Sequence, residues 1–205
     1  MIAILDYGLG NLGSISNMLK VIGEKSIITA SDSSINKADG IILPGVGAFD
    51  AGMKRLNEVG LSKTIQNYSK TGKPILGICL GMQLLGRKSE EGKLEGLGLI
   101  PFECVRFRAD NADLKIPHMG WDIVNIRQNH PMVENLNGQQ RYYFVHSYHA
   151  ICDSEENELM TCEYGYRFPA AVIKGNIIGV QFHPEKSHDY GLKLLNNFVD
   201  LCRRK

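Results

Sequence analysis

What most constrains this 205-residue chain is the alternation, in its first half, of short, wholly apolar runs with segments of helical periodicity. Residues 2–6 (IAILD), 40–44 (GIILP) and the run PILGIC opened by Pro74 read as strands. Runs of this kind, separated by helices, are the pattern of a parallel sheet covered on both faces. Ile15, Met18, Leu19 and Ile22 recur at helical spacing, with Ser14 as a candidate N-cap and Gly23 closing the segment. A second strand is expected near 26–30, followed by a polar loop. Phe49, Met53 and Leu56 mark the next helix, residues 62–70 another, and LGMQLLGR a further one directly after Cys79.

From about residue 95 the pattern changes to short strands (LGLIPF, DIVNI, YYFVHSYHA, AAVIK, IIGVQF) separated by polar or glycine turns. Leu194, Leu195, Phe198 and Leu201 then mark a closing helix. The expected fold is α/β, an open mixed and mostly parallel sheet with helices on both faces. No repeat, low-complexity tract or linker interrupts it, so residues 1–205 read as one domain.

Composition narrows the function classes. With 23 Lys+Arg against 22 Asp+Glu, the net charge of +1 offers no field to attract nucleic acid or anionic lipid. No apolar run approaches the roughly 18 residues that a membrane span needs. The chain enters a strand pattern at residue 2 with no secretory signal, so a cytoplasmic location is expected. Cys79, Cys104, Cys152, Cys162 and Cys202 are odd in number and contain no CxxC pair, which speaks against a disulfide framework or structural zinc. Neither a metal nor a cofactor is expected.

Five motifs are candidates for function. GICLG (77–81) sets a cysteine between glycines where a strand meets a helix, a nucleophile elbow written with Cys79. The helix N-terminus there favours a thiolate; the competing reading is a small buried cysteine at a strand end. QFHPEKS (181–187) carries His183 and Glu185 two residues apart, which in extended structure share a face. They suit a general base oriented by a carboxylate, but a metal site with His188 or a structural histidine fits as well. PGVG (44–47) ends the third apolar run, where a glycine turn can aim a backbone N–H at an oxyanion, with the Leu80 N–H as second donor; an ordinary turn is the alternative. Gly8, Gly10 and Gly13, with Asp32 further on, also match a dinucleotide fingerprint, although Asp32 lies in the polar loop and the reading leaves the cysteine elbow unexplained. KIPHMGWD (115–122), with the chain's one tryptophan, suits either a docking surface or a core Trp.

Taken together, DYGLGN (6–11), LPGVGAF (43–49), GICLGMQ (77–83), IPHMGW (116–121), YFVHSY (143–148) and QFHPEKS (181–187) make the chain resemble the class I (triad) glutamine amidotransferases along essentially its whole length. Within them it is similar to the glutaminase subunits of imidazole glycerol phosphate synthase. The resemblance implies a flavodoxin-like sheet and a triad in which Cys79 attacks the side-chain amide of glutamine, His183 relays protons and Glu185 orients it. It implies Val46, Gly47 and Leu80 at the oxyanion hole, and Gly47, Gln83, His146, Ser147 and Tyr148 around glutamine. It also implies docking of Asn11, Pro117, Met119, Trp121 and Lys186 on a (β/α)₈-barrel cyclase subunit of histidine biosynthesis, with ammonia passed along a sheltered channel and weak glutaminase activity without that partner. Asp122 departs from the Asn expected there. A paralogous subunit supplying ammonia to a surface-sugar amidotransferase is the alternative.

Overall fold

The computed structural model describes residues 1–108 and 114–204. The alternation of the first half folds into β1 (Ile2–Leu5), α1 (Leu12–Ile22), β2 (Ser26–Thr29), α2 (Asp32–Lys37), β3 (Gly40–Leu43), α3 (Phe49–Glu58), α4 (Leu61–Ser69), β4 (Ile75–Ile78) and α5 (Leu80–Leu85). The second half supplies β5 (Phe102–Arg106), β6 (His118–Ile126), β7 (Gln140–His146), β8 (Tyr148–Cys152), β9 (Glu158–Tyr164), β10 (Tyr166–Lys174), β11 (Ile177–Val180) and the closing α6 (His188–Arg203).

Among the described residues the main sheet runs β2-β1-β3-β4-β11-β10-β9-β6-β7, and β5 pairs with β8 in a separate two-stranded sheet. The pairs from β2 to β11 are parallel and those from β11 to β7 antiparallel, so the sheet is mixed as expected. Apolar residues of the parallel strands alternate between two cores. Ile2, Ile4, Ile42, Leu76 and Ile78 pack with Ile15 and Leu19 of α1 and Leu194, Leu195 and Phe198 of α6. Ala3, Leu5, Ile41, Leu43 and Ile75 face the other way, onto Met53 and Leu56 of α3, Ile65 and Tyr68 of α4, and Leu84 and Leu85 of α5. Each Ile, Leu, Met or Phe side chain among them contributes about 1.5–3 kcal/mol when fully buried, and β1, β3 and β4, buried on both faces, carry no polar face.

Two registers position the site. Leu43 lies opposite Gly77 across β3 and β4, and Ile78 opposite Val180 across β4 and β11. The segments leaving all three strands at their carboxyl ends, from Pro44, Cys79 and Gln181, therefore emerge side by side, at the edge where open α/β sheets bind ligands.

Several expectations are corrected. Helix α1 starts at Leu12 with Asn11 at its N-cap, so Ser14 lies inside it. The polar loop after β2 contains α2, a single short helix of polar residues around one buried Ile35. LGLIPF is strand only at Phe102, where β5 begins. YYFVHSYHA is not one strand: a bend at Ser147 sends β7 into the main sheet and β8 to β5. HMGWD belongs to β6, extending DIVNI backwards, and β9 is an additional strand.

Candidate active site

Cys79 sits at the bend between β4 and α5 with φ 53° and ψ −111°. A non-glycine residue with this backbone stores on the order of 1–3 kcal/mol of strain and persists only where its surroundings over-determine it. Its N–H donates to the Val180 carbonyl at 2.8 Å, fixing one side of the bend. On the other, α5 lies so close to β3 that a Cβ on Gly81 would stand 1.8 Å from the Leu43 carbonyl oxygen, so only glycine fits. The Cys79 side chain is 7% exposed and opens onto a cavity of ≈ 340 Å³. The other four cysteines are also free; burial pushes the thiols of Cys152, Cys162 and Cys202 up to about 12 and that of Cys104 higher still.

The chain leaving β11 carries the imidazole to the same cavity. His183 and Glu185 are not in extended structure: His183 caps a 3₁₀ turn, Pro184–Lys186, that folds the carboxylate back, with Nδ1 and Oε1 at 2.8 Å and both side chains 2% exposed. The turn is pinned by the His183 N–H to the Tyr143 carbonyl, 2.9 Å, and by the Ser187 hydroxyl, which donates to the His183 carbonyl at 2.6 Å and accepts from the Tyr143 N–H at 3.0 Å. A carboxylate accepts only, so the Nδ1 proton is held there and Nε2 is the nitrogen left to react. Neither Nε2 nor Glu185 Oε2, both buried, makes a hydrogen bond of ordinary geometry; catalytic contacts often close only when substrate binds. Burial pulls the His183 pKa down, but the Cys79 sulfur and then Glu185 pull it up by more, to about 9. The metal reading fails geometrically: the His188 ring stacks on Trp121 at 5.5 Å, and among the described residues no group of three His, Cys, Asp or Glu could hold an ion.

The cavity gathers ten of the residues expected at a site: Val46 and Gly47 after β3, Cys79, Leu80 and Gln83, Pro117, His146, Ser147 and Tyr148 at the β7–β8 bend, and His183. Glu185 lies behind His183. Burial, foremost, pushes His146 down to about 3, so its ring is neutral and its Nδ1–H donates to the Tyr148 carbonyl at 2.8 Å. Three residues were missed. Val145 and Glu91 also line the cavity, and the Glu91 carboxylate accepts the Phe49 N–H at 2.9 Å. Gln181, 0% exposed, touches the Cys79 sulfur; its place two residues before His183 was the available signal. Glu91 follows α5 in an irregular loop and carries no such signal.

Of the expected docking residues, Met119 and Trp121 are 62% and 38% exposed on one face of β6, so Trp121 is not a core residue. The Lys186 ammonium lies 5.5 Å over the Tyr143 ring, whose neighbour is Trp121. Asn11 occupies the N-cap position of α1 without a side-chain capping hydrogen bond, and α1 touches the 184–186 turn. In the glycine-rich first turn, Gly8 and Gly10 have positive φ, but Gly13 is inside α1 and the Asp32 carboxylate takes the Thr64 hydroxyl at 2.5 Å, leaving the dinucleotide reading without its acidic partner.

The family model for glutamine amidotransferase class I matches residues 3–201. The chain belongs to that family. It is 52% identical over 97% of its length to imidazole glycerol phosphate synthase subunit HisH 2 of Methanococcus maripaludis, covering 98% of that protein. It is 47% identical to the HisH 2 subunit of Pseudomonas aeruginosa and 49% to the HisH subunit of Methanosarcina barkeri, with at least 98% of each chain covered. Among solved structures, a glutamine amidotransferase superposes with a TM-score of 0.77 at 19% identity, covering 99% of both chains. Another glutamine amidotransferase, from Thermotoga maritima, gives 0.70 at 15%, over 100% of this chain and 98% of that one. These last two establish the glutamine amidotransferase fold. No helix among the described residues is long and apolar enough to cross a membrane.

Proposed function

We propose that the chain is the glutaminase subunit of an imidazole glycerol phosphate synthase. It resides in the cytoplasm, hydrolyses glutamine and hands the ammonia to a separate cyclase partner, built as a (β/α)₈ barrel, which acts on the phosphoribulosyl intermediate of histidine biosynthesis. The observation that carries this reading is the 52% identity over nearly the whole chain, with the motif residues gathered around one cavity.

In this reading the Cys79 thiolate attacks the side-chain carbonyl carbon of glutamine. The negative charge moves to the carbonyl oxygen, met by the Val46 and Leu80 N–H groups beside Gly47. The protonated His183 gives its Nε2 proton to the leaving nitrogen, ammonia departs, and a thioester remains. Water, deprotonated by Nε2, then attacks the thioester, releasing glutamate and restoring the sulfur. Glu185 keeps the imidazole oriented throughout. Gln83 and the backbone of His146, Ser147 and Tyr148 bind glutamine, and the Glu91 carboxylate suits its ammonium group.

Ammonia released into water is protonated and lost as a nucleophile, so a dry route to the acceptor is needed. The exposed Met119 and Trp121 with Lys186, beside Pro117 at the cavity and Asn11 nearby, supply the face for the partner. The test is glutamate release with and without a barrel cyclase and its substrate. Stimulation by that partner and abolition by Cys79→Ala, a fall on the order of 10³ or more, is expected; turnover retained by Cys79→Ala refutes the mechanism, and stimulation only by a different synthase refutes the assignment of acceptor.

A further inference from the structure

Gln181 is wholly buried at the end of β11, its N–H bonded to the Ala170 carbonyl at 2.9 Å. Which end of its side-chain amide faces which neighbour follows from hydrogen-bond chemistry. The Tyr148 main-chain carbonyl can only accept, and it receives the His146 Nδ1–H at 2.8 Å and Gln83 Nε2 at 3.2 Å. That fixes the orientation of Gln83. Its second Nε2 hydrogen goes to Gln181 Oε1 at 3.1 Å, which fixes Gln181 in turn. The Gln181 amide nitrogen is left facing the Cys79 sulfur at 3.8 Å. Turning Gln181 over would set two NH₂ groups against each other and a carbonyl oxygen against the sulfur. With both hydrogens of Gln83 committed, its Oε1 is what Gln83 has left to offer a ligand.

We propose that Gln181 is a positioning residue of the nucleophile: its side-chain N–H, aimed by Gln83 and the Tyr148 carbonyl, favours the charged form of the Cys79 sulfur and holds it on the cavity side of α5. A hydrogen bond donated to an anion stabilises it over its protonated form, and the low local dielectric strengthens the effect. The thiolate then has two partners with separate duties. His183 exchanges protons during turnover, while the Gln181 amide cannot, so it supports the sulfur in every protonation state of the imidazole. This inference rests on the assignment of Cys79 as nucleophile.

The test is alkylation of Cys79 by iodoacetamide, followed at that residue by mass spectrometry at pH 7 and pH 9, in wild type, Gln181→Met and Gln181→Glu. Met nearly preserves volume but has no donor; Glu sets a carboxylate against the sulfur. The expected result is alkylation about tenfold slower at pH 7 in Gln181→Met and slower still in Gln181→Glu. The rate ratio between pH 9 and pH 7 rises in both, and kcat falls more than KM changes. A loss of packing alone would not raise that ratio, so an unchanged ratio in both folded variants overturns the proposal. Should the variants not fold, the wild-type Gln181 side-chain amide proton is followed by NMR. Its resonance moves with the same pH midpoint as Cys79 alkylation, and one that ignores the ionisation overturns the proposal equally. Alkylation requires no glutamine, so failure here is distinct from retained turnover in Cys79→Ala, which would refute the nucleophile itself.

Discussion

Gly81→Ala isolates the contact on which the bend at Cys79 depends. The added Cβ stands 1.8 Å from the Leu43 carbonyl oxygen and 2.8 Å from its carbon, both main-chain atoms that no rotamer can move. Ordinary contact begins at 3.4 Å, so α5 and β3 must separate by roughly 1.6 Å. Overpacking of this kind costs typically 1–3 kcal/mol, and the upper end applies when backbone has to yield, about 3 kcal/mol. For a chain of this size that is a fall in Tm of about 6–12 °C. Leu80 and Gln83, the proposed oxyanion donor and glutamine contact, ride on α5, and a displacement of about 1 Å at such a group can cost on the order of 10²-fold in rate, so kcat/KM falls by that order. Thermal denaturation and glutamate release measured on the same preparation check both. Gly13→Ala is the control: it lies in α1 with nothing within 4 Å of the new Cβ, and gains about 0.5–1 kcal/mol from helix propensity. A Gly81→Ala protein with wild-type Tm and turnover refutes the claim that close approach of α5 to β3 builds the bend.

Three other outcomes are expected. His183 has its pKa raised from an ordinary 6.5 to about 9, so its contribution to stability is fully present below 6.5 and lost as pH rises through about 9; urea midpoints fall between pH 7 and pH 10, and the fall is smaller in Cys79→Ala, which removes the sulfur that raises it. Tyr7→Phe deletes the buried hydroxyl that donates to the Pro44 carbonyl at 2.6 Å, and lowers stability by about 1–3 kcal/mol in urea denaturation while slowing turnover, because that carbonyl anchors the start of the 44–47 loop. Met119→Ala combined with Trp121→Ala weakens binding of the cyclase partner by about 2 kcal/mol or more in titration calorimetry, with circular dichroism unchanged.

Strands β1, β3 and β4 were legible because burial on both faces leaves a purely apolar run, which short range alone can reveal. The residues of the proposed triad were legible as motifs, and their assembly was not, since Cys79 and His183 meet only through the β4–β11 register. The second half was harder for the same reason. In β7 and β8 the pattern runs on through Ser147, although β7 pairs with the preceding strand β6 while β8 reaches back past β6 and β7 to β5. Alternation in β6 was obscured because His118 faces inward against His146 while Met119 and Trp121 face out, the reverse of what polarity suggests. Helix α2 buries one apolar residue, too few to show a period. Gln181 was overlooked although it stands two residues before His183, because an uncharged amide shows its chemistry only once its neighbours are known.

The place of β11 in the sheet also governs when the enzyme comes into being. It lies between β4 and β10, yet among the described residues it is the last strand in chain order. Until residues 177–180 emerge from the ribosome, β4 and β10 are unpaired borders with a gap between them, and closing that gap requires contacts separated by about a hundred residues. A nascent chain or a fragment cut short of this point has the Cys79 sulfur but neither the Val180 carbonyl that holds its bend nor the His183 imidazole, so the proposed catalytic pair assembles only after β11 is made.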